Sequence, residues 1–315
     1  MKDVKILVSG SAPPRIAEGV AAQFTPERWG GSDGGIGPGV RGVAASGGTV
    51  DAALMDRLPD LEIVANYGVG YDNIDAVEAG RRGIVVTNTP DVLNEEVADT
   101  AIGLLLCAVR QFPQADAYVR AGKWLEGPFP LSATLRGRRM GILGLGRIGK
   151  AIAKRAEAFG ITIAYHGRNR QPDVPYAYHP TLVGMAEEVD ILMVITPGGA
   201  ETRHLVNAEV LRALGPEGVL INVARGSVVD ERALIEALRD RTILTAGLDV
   251  FENEPQVPPE LIAMNHVVLL PHLGSASVHT RDAMGQLVVD NLVSWFSGKG
   301  PLTPVKETPW TGRAA

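Results

Sequence analysis

An α/β fold built on doubly wound parallel sheets is what the sequence predicts, and three observations predict it. Short apolar runs of strand length alternate with segments of helical spacing along most of the chain. The segment RRMGILGLGRIGKAIAKRAEAFGITIAYHGRNR, Arg138 to Arg170, places a G-x-G-x-x-G turn between a strand and a helix and returns to a second strand. Later strand-like runs release their carboxyl ends into loops that carry polar groups. In open α/β sheets ligands bind outside those ends. With 315 residues the chain is long enough for two domains.

The elements follow in order. Val4 to Ser9 reads as a strand, and Pro13 and Pro14 open a helix through Ala22. Phe24 to Arg41 contains WGGSDGGIGPGVR and reads as a surface loop, with no functional account of Gly34 to Gly39. Gly42 to Ala45 is a strand, Val50 to Leu58 a helix, Leu61 to Ala65 a strand leading into Tyr67-Gly68-Val69-Gly70-Tyr71, and Ile84 to Thr87 another strand. Asn94 to Arg110 is a long helix that begins with acids and ends with Arg110, as the helix dipole favours. Gln111 to Leu135, with Trp124, Pro128, Phe129 and Pro130, fits no compact α/β plan. An arm that packs on a second subunit and a loop folded back on its own domain both suit that composition.

Met140 to Leu143 is the strand before the glycine turn, Ile148 to Phe159 the helix, and Ile161 to Tyr165 the second strand. Gly144 permits the tight turn, Gly146 lets the backbone approach a pyrophosphate, and Gly149 lets helix and strand pack closely. The helix start at Arg147 and Ile148 offers free N–H groups and a positive dipole end to phosphate. A structural glycine turn is the bland reading, and the flanking strands argue against it. Units that bind NAD place an acid at the end of the second strand to hold the ribose 2′-OH. Here that position reads His166-Gly167-Arg168-Asn169-Arg170, with no acid before Asp173. A guanidinium pairs with a 2′-phosphate that a carboxylate would repel. NADP(H) is therefore the expected cofactor, with Arg168 the principal contact and Asn169 and Arg170 beside it, against the plainer reading of a solvated basic loop.

Val189 to Ile195, Gly218 to Val223, Ile243 to Leu248 and His266 to Leu270 are the remaining strands. Helices are expected within Glu201 to Leu214, at Glu231 to Arg239 behind a capping Asp230, and at Ser277 to Ser297. Arg225, Glu254 and His272 stand at three of the strand ends. A carboxylate bonded to one ring nitrogen orients a histidine and favours its charged form. An arginine nearby clamps a carboxylate or polarises a carbonyl. Beside a nicotinamide the three suit hydride transfer between NADP(H) and an oxo or hydroxy acid. Singly each has a bland reading: a structural histidine, a solvated turn at Glu254-Pro255, an ion-pair partner at Arg225. From spacing alone the two readings stay balanced.

Bulk properties exclude other classes. Apolar content is 45% and charged content 21%, ordinary for a water-soluble protein, and the net charge of −6 offers no footprint for nucleic acid or an acidic membrane. The longest apolar runs, such as Ile102 to Val109, are far too short to span a bilayer. Met1-Lys2-Asp3 leads straight into a strand without a secretory signal, so a cytoplasmic location is the expectation. The one cysteine, Cys107, reads as core packing, and no metal site is expected.

Six segments carry a resemblance: LEIVANYGVGYDNID (Leu61 to Asp75), NTPDVLNEEVADTAIGLLL (Asn88 to Leu106), GILGLGRIGKAIAKRAEAFG, INVARGSVVDERALIEAL, AGLDVFENEP and PHLGSAS (Pro271 to Ser277). In this order they resemble the D-isomer-specific 2-hydroxyacid dehydrogenases over nearly the whole chain. GRNR and GKWLEGPFPL look like the NADPH-dependent glyoxylate/hydroxypyruvate and hydroxyphenylpyruvate reductases. The resemblance implies two Rossmann-like domains. One is a flavodoxin-like substrate domain from residues 1–99 and 277–315; the other is an NADP-binding domain at 100–276 with a dimerisation arm at about 111–135. Closure of the two would exclude water.

The resemblance also implies roles. His272 protonates the carbonyl oxygen, Glu254 hydrogen-bonds His272, and Arg225 binds the 2-oxo acid. The amides of Val69 and Gly70 hold its carboxylate, Asp249 orients the nicotinamide carboxamide, and Thr196 and Pro197 line the adenosine side. A homodimer is implied. The turn Pro197-Gly198-Gly199 departs from the family's usual proline-leucine, and His204 is read as structural. Glu254 argues against the formate dehydrogenase branch, where the family pattern has Gln, and an end at Ala315 against the extra regulatory domain of long phosphoglycerate dehydrogenases. Two alternatives stand beside a reductase of small 2-oxo acids: a reductase of bulkier ones such as phenylpyruvate, and a nucleotide-sensing, corepressor-like binding protein.

Overall fold

The computed structural model describes residues 1–9, 12–28, 38–310 and 312. The chain forms two compact units, Met1–Leu93 with Ser277–Ala315, and Asn94–Ala276. The long helix from Asn94, divided by the boundary expected at 99, belongs whole to the second unit.

The first unit is built from β1 (Lys5–Val8), α1 (Pro14–Gln23), β2 (Thr25–Arg28), β3 (Val40–Ala45), α2 (Ala52–Asp56), β4 (Ile63–Asn66), α3 (Ala76–Arg81) and β5 (Val85–Thr87). All strands are parallel, in the order β2-β1-β3-β4-β5, the doubly wound order 2-1-3-4-5. Strand side chains alternate between faces, and here both faces are buried. Ile6, Val8, Ala44, Ile63, Ala65 and Val85 pack with Ile16, Val20 and Phe24 of the α1 side. Leu7, Val43, Ala45, Val64 and Val86 pack with Leu54, Met55, Ile74 and Ala79 on the other. That is why these strands read as unbroken apolar runs rather than as alternating ones.

Two differences from the sequence expectations fall here. Thr25–Arg28, expected in an irregular loop, pair with β1 as an edge strand. Their half-exposed polar composition carries no strand pattern, and pairing with β1 decides it. Residues 29–37 of the glycine-rich stretch lie outside the described residues. α3 has six residues, too few to show a helical period; Asp75 caps it by accepting from the Glu78 amide.

The second unit runs through α4 (Asn94–Arg110), α5 (Phe112–Arg120), β6 (Arg139–Leu143), α6 (Arg147–Glu157), β7 (Thr162–His166), β8 (Ala177–Tyr178), α7 (Leu182–Ala186), β9 (Ile191–Val194), α8 (Ala208–Leu214), β10 (Val219–Asn222), α9 (Glu231–Arg239), β11 (Thr245–Leu248), α10 (Pro259–Ala263) and β12 (Val268–Leu269). Its parallel sheet has the order β12-β11-β10-β9-β6-β7-β8. Counted from β6 this is the 3-2-1-4-5-6 arrangement of dinucleotide-binding sheets with one strand added. Helices α7, α8 and α9 bury one face of the sheet. Helix α4 packs on α6, β10 and β11, and Arg155 of α6 pairs with Asp99 at 2.5 Å and Glu95 at 2.8 Å on α4. Residues 111–135, expected to fit no regular plan, begin with helix α5.

The chain then returns to the first unit as α11 (Val278–Phe296), capped by Ser277. Val288, Leu292 and Trp295 of α11 close the α1 face. Beyond it Glu307 accepts the Tyr71 hydroxyl at 2.9 Å. Burial, then that bond to an acid, pushes the Tyr71 phenol up to about 12. Among the described residues no helix is long and apolar enough to cross a membrane, and no His, Cys, Asp and Glu cluster is arranged to hold a metal ion.

Candidate active site

The glycine turn is built as the motif requires. β6 ends at Leu143 and Gly144 follows with φ 101°, a conformation that side chains rarely adopt. A Cβ on Gly144 would lie 2.9 Å from the Cα of Thr196, and one on Gly149 would lie 2.4 Å from the Gly144 carbonyl oxygen. A Cβ on Gly146 would meet nothing within 4 Å, so the backbone there faces open space at the start of α6. Gly146 caps α6 without a side-chain hydrogen bond, and a helix start of this kind suits an anion.

Arg168, Asn169 and Arg170 follow β7 and are exposed. Their loop is pinned on both sides. Gln171 Nε2 donates to the Leu145 carbonyl at 2.7 Å, and the Gln171 amide donates to the Tyr165 hydroxyl at 2.7 Å. The Tyr178 hydroxyl donates to the Gly167 carbonyl at 3.2 Å. The basic loop is thereby tied to the glycine turn, a link that no sequence pattern announces. Thr196 and Pro197 follow β9, and the Thr202 hydroxyl closes the Pro197-Gly198-Gly199 turn by donating to the Pro197 carbonyl at 2.8 Å.

Arg225, Glu254 and His272 follow β10, β11 and β12. His272 Nδ1 lies 2.7 Å from Glu254 Oε2, and Glu254 Oε1 accepts the Phe251 amide at 3.0 Å. Burial alone would raise the Glu254 carboxyl, but the His272 bond, the Phe251 amide and the charges of His272 and Arg225 outweigh it and leave the carboxyl below its usual value. With Nδ1 spent on the carboxylate, Nε2 is the nitrogen left for proton exchange. His272 has φ 51°, a left-handed conformation in which histidine is enriched and which recurs at functional sites.

Asp249 explains how that conformation is held. It is 2% exposed and accepts the amides of Leu273 at 2.7 Å and Gly274 at 2.8 Å, while its carbonyl accepts the His272 amide at 2.8 Å. Burial raises its carboxyl, and the two amide bonds oppose the rise. One strand end thus fixes three consecutive amides of the histidine loop, a task the sequence reading did not assign.

Arg225 is brought to the same strand ends by Gly226. A Cβ there would fall 1.9 Å from the Phe251 carbonyl carbon, so only glycine allows the Arg225 loop to lie against the segment leading to Glu254. Asn222 Nδ2 holds the Arg225 carbonyl at 3.1 Å. Outside the pair, His204 and Arg203 bond Glu252 Oε1 at 2.9 and 2.7 Å, and His204 does not join Glu254 or His272. Val69 and Gly70 follow β4 in the first unit. Cys107 on α4 is half-buried, and burial pushes its thiol up.

A dinucleotide-type sheet with an imidazole–carboxylate pair at its carboxyl edge defines a nicotinamide-dependent dehydrogenase, and the chain belongs to the D-isomer specific 2-hydroxyacid dehydrogenase family, whose NAD binding domain matches residues 102–274. The chain is 57% identical to a crystal structure of an NADPH-dependent glyoxylate/hydroxypyruvate reductase from Sinorhizobium meliloti in complex with NADP and malonate, with TM-score 0.95 over 99% of this chain and 100% of that one. It is 54% identical to glyoxylate/hydroxypyruvate reductase A of Arabidopsis thaliana over 84% of each chain. It is 51% identical to hydroxyphenylpyruvate reductase of Plectranthus scutellarioides, again over 84% of each.

Proposed function

We propose that the protein is an NADPH-dependent reductase that converts small 2-oxo acids of the glyoxylate and hydroxypyruvate type to D-2-hydroxy acids. The observation that carries this reading is the 2.7 Å bond between His272 Nδ1 and Glu254 Oε2 at the carboxyl edge of the dinucleotide-type sheet. The names of the relatives agree with it, and they do not favour a corepressor-like binding protein.

The residues present fit the cofactor. The open space at Gly146 and the N-terminus of α6, which carries no side-chain cap, suit a pyrophosphate. Exposed Arg168, Asn169 and Arg170, with no acid among them, suit a 2′-phosphate. Thr196 and Pro197 line the adenosine side, and Asp249, which keeps a second lone pair on each oxygen, orients the carboxamide. NADPH when bound supplies the hydride. His272 delivers a proton from Nε2 to the substrate carbonyl oxygen, and Glu254 keeps the ring oriented through its bond to Nδ1. Arg225 holds the carboxylate and polarises the carbonyl, and the amides of Val69 and Gly70 bind the carboxylate.

The protein acts as a homodimer in this reading. Residues of the 111–135 segment expose large apolar side chains, with Trp124 at 68%, Leu125 at 95% and Leu131 at 100%, a concentration that monomers rarely carry.

NADPH oxidation followed by absorbance, with glyoxylate, hydroxypyruvate and phenylpyruvate as substrates, tests the assignment. The two small acids are expected to give the higher kcat/KM. His272→Ala is expected to lower kcat by about 10²–10⁴ while NADPH affinity holds. Wild-type turnover in that variant would refute the proton-donor role.

A further inference from the structure

The turn that carries Val69 and Gly70 is held by two asparagines at the ends of neighbouring strands. Asn66 is the last residue of β4 and is 4% exposed. Its Nδ2 donates to the carbonyls of Gly68 at 3.2 Å and Gly70 at 2.9 Å. Asn88 follows β5, which pairs with β4, and its Nδ2 donates to the Val69 carbonyl at 2.9 Å. The Thr89 amide adds a second donor to the Gly68 carbonyl at 3.0 Å. Three successive carbonyls are therefore clipped.

A trans peptide is planar, with its C=O and the following N–H on opposite sides. Clipping the carbonyls of Gly68, Val69 and Gly70 therefore turns the N–H groups of Val69, Gly70 and Tyr71 away from the asparagines that hold them. A side-chain amide has two N–H donors, which is what Asn66 needs for two carbonyls; an aspartate of the same shape has only acceptors. Asn88 is itself anchored. Its amide donates to the Thr303 carbonyl at 3.2 Å and its carbonyl accepts the Thr303 hydroxyl at 2.6 Å. Asn291 of α11, 0% exposed, holds Thr303 through its amide at 3.1 Å and its hydroxyl at 3.0 Å.

We infer that Asn66 and Asn88 are positioning residues that set the affinity for the substrate carboxylate, by fixing the amides of Val69 and Gly70, with the Tyr71 amide a third donor on the same turn. The inference rests on the reading above that Val69 and Gly70 bind that carboxylate. Backbone N–H groups in succession form anion-binding concavities, and bonds from N–H to a carboxylate are charge-assisted. A single flipped peptide would present a carbonyl to the anion instead. Donors oriented before the ligand arrives lose less freedom on binding.

The test uses the full chain with Asn66→Ala, Asn88→Ala and Asn88→Asp. KM and kcat for glyoxylate and hydroxypyruvate are read at saturating NADPH, with the inhibition constant for malonate, the NADPH dissociation constant and the melting temperature. KM and the malonate constant are expected to rise about tenfold, with kcat and NADPH affinity changed by less than about twofold. Asn88→Asp, which keeps the shape and removes the donor, is expected to lose at least as much. Unchanged KM and malonate inhibition in both Asn88 variants, or a loss confined to kcat or NADPH binding, overturns the inference. Should Asn66→Ala not fold, the half-exposed Asn88 decides. If the wild type turns over neither acid, the reductase reading fails, and malonate binding by calorimetry still settles the clip. Weaker binding by Asn88→Ala than by wild type upholds it; equal binding, or none by the wild type, overturns it.

Discussion

His272 and Glu254 are eighteen residues apart in the chain and one hydrogen bond apart in space. Glu254 has its folded value below the ordinary glutamate value of about 4.3. The unfolded chain then binds more protons than the folded one as pH falls through that range. The contribution of the pair to stability is present above about pH 4–5 and is lost as pH drops through the lowered value. Glu254→Gln is expected to flatten that part of the curve of melting temperature against pH. An unaltered slope would mean that other carboxylates carry the acid sensitivity. Arg168 offers a second single-residue test. Arg168→Asp puts a carboxylate where a 2′-phosphate is proposed, so KM for NADPH should rise by about tenfold or more and KM for NADH should fall. An unchanged ratio would move the phosphate contact elsewhere. Glu254 and Arg168 were readable as candidates because each lies in the loop that follows an apolar strand run. The amide bonds of Asp249 to Leu273 and Gly274 were not readable, since they join loops of two strands.

Strand ends and the loops after them do the positioning. β10, β11 and β12 lie side by side, so the residues after them arrive together although the chain separates them. Gly226 is what lets the β10 loop touch the segment after β11. Gly226→Ala must displace the Phe251–Glu252 backbone, with a cost of about 1–3 kcal/mol from overpacking. The displacement should pull Glu254 out of register with His272. We expect a lower melting temperature together with a fall in kcat; a variant that melts early yet keeps full kcat would show the contact to be structural alone. Long elements with a full hydrophobic period, such as α4, α6, α9 and α11, were legible in the residues. Short ones, such as α3, α7, α10 and the two-residue β8, were not, because a single turn or bridge carries no period and is fixed by what packs on it.

Across the whole chain, the division of labour follows from the return of α11 and the segment after it to the first unit. Through Asn291, Thr303 and Asn88 that returning segment supports the turn at Val69. The exposed apolar segment on the second unit makes a further claim. If the protein is the proposed dimer, Leu131→Glu together with Trp124→Glu should turn it into monomers by light scattering, since two charges would be buried at the interface. A dimer of unchanged stability in the double variant would place the interface elsewhere.

Fold class, the dinucleotide turn, the absence of an acid after β7 and the identities of Arg225, Glu254 and His272 were set by local pattern: periodicity, glycine spacing and residue type at strand ends. Those signals survive in a linear string because each spans a few neighbouring residues. The tertiary structure alone decided that β2 is a strand, that Asp249 holds the His272 loop, that Gln171 ties the basic loop to Leu145, and that Asn66 and Asn88 orient the turn between them. Each of these depends on hydrogen bonds or packing between segments distant in the chain, and no short-range pattern encodes which distant partner will fold against which.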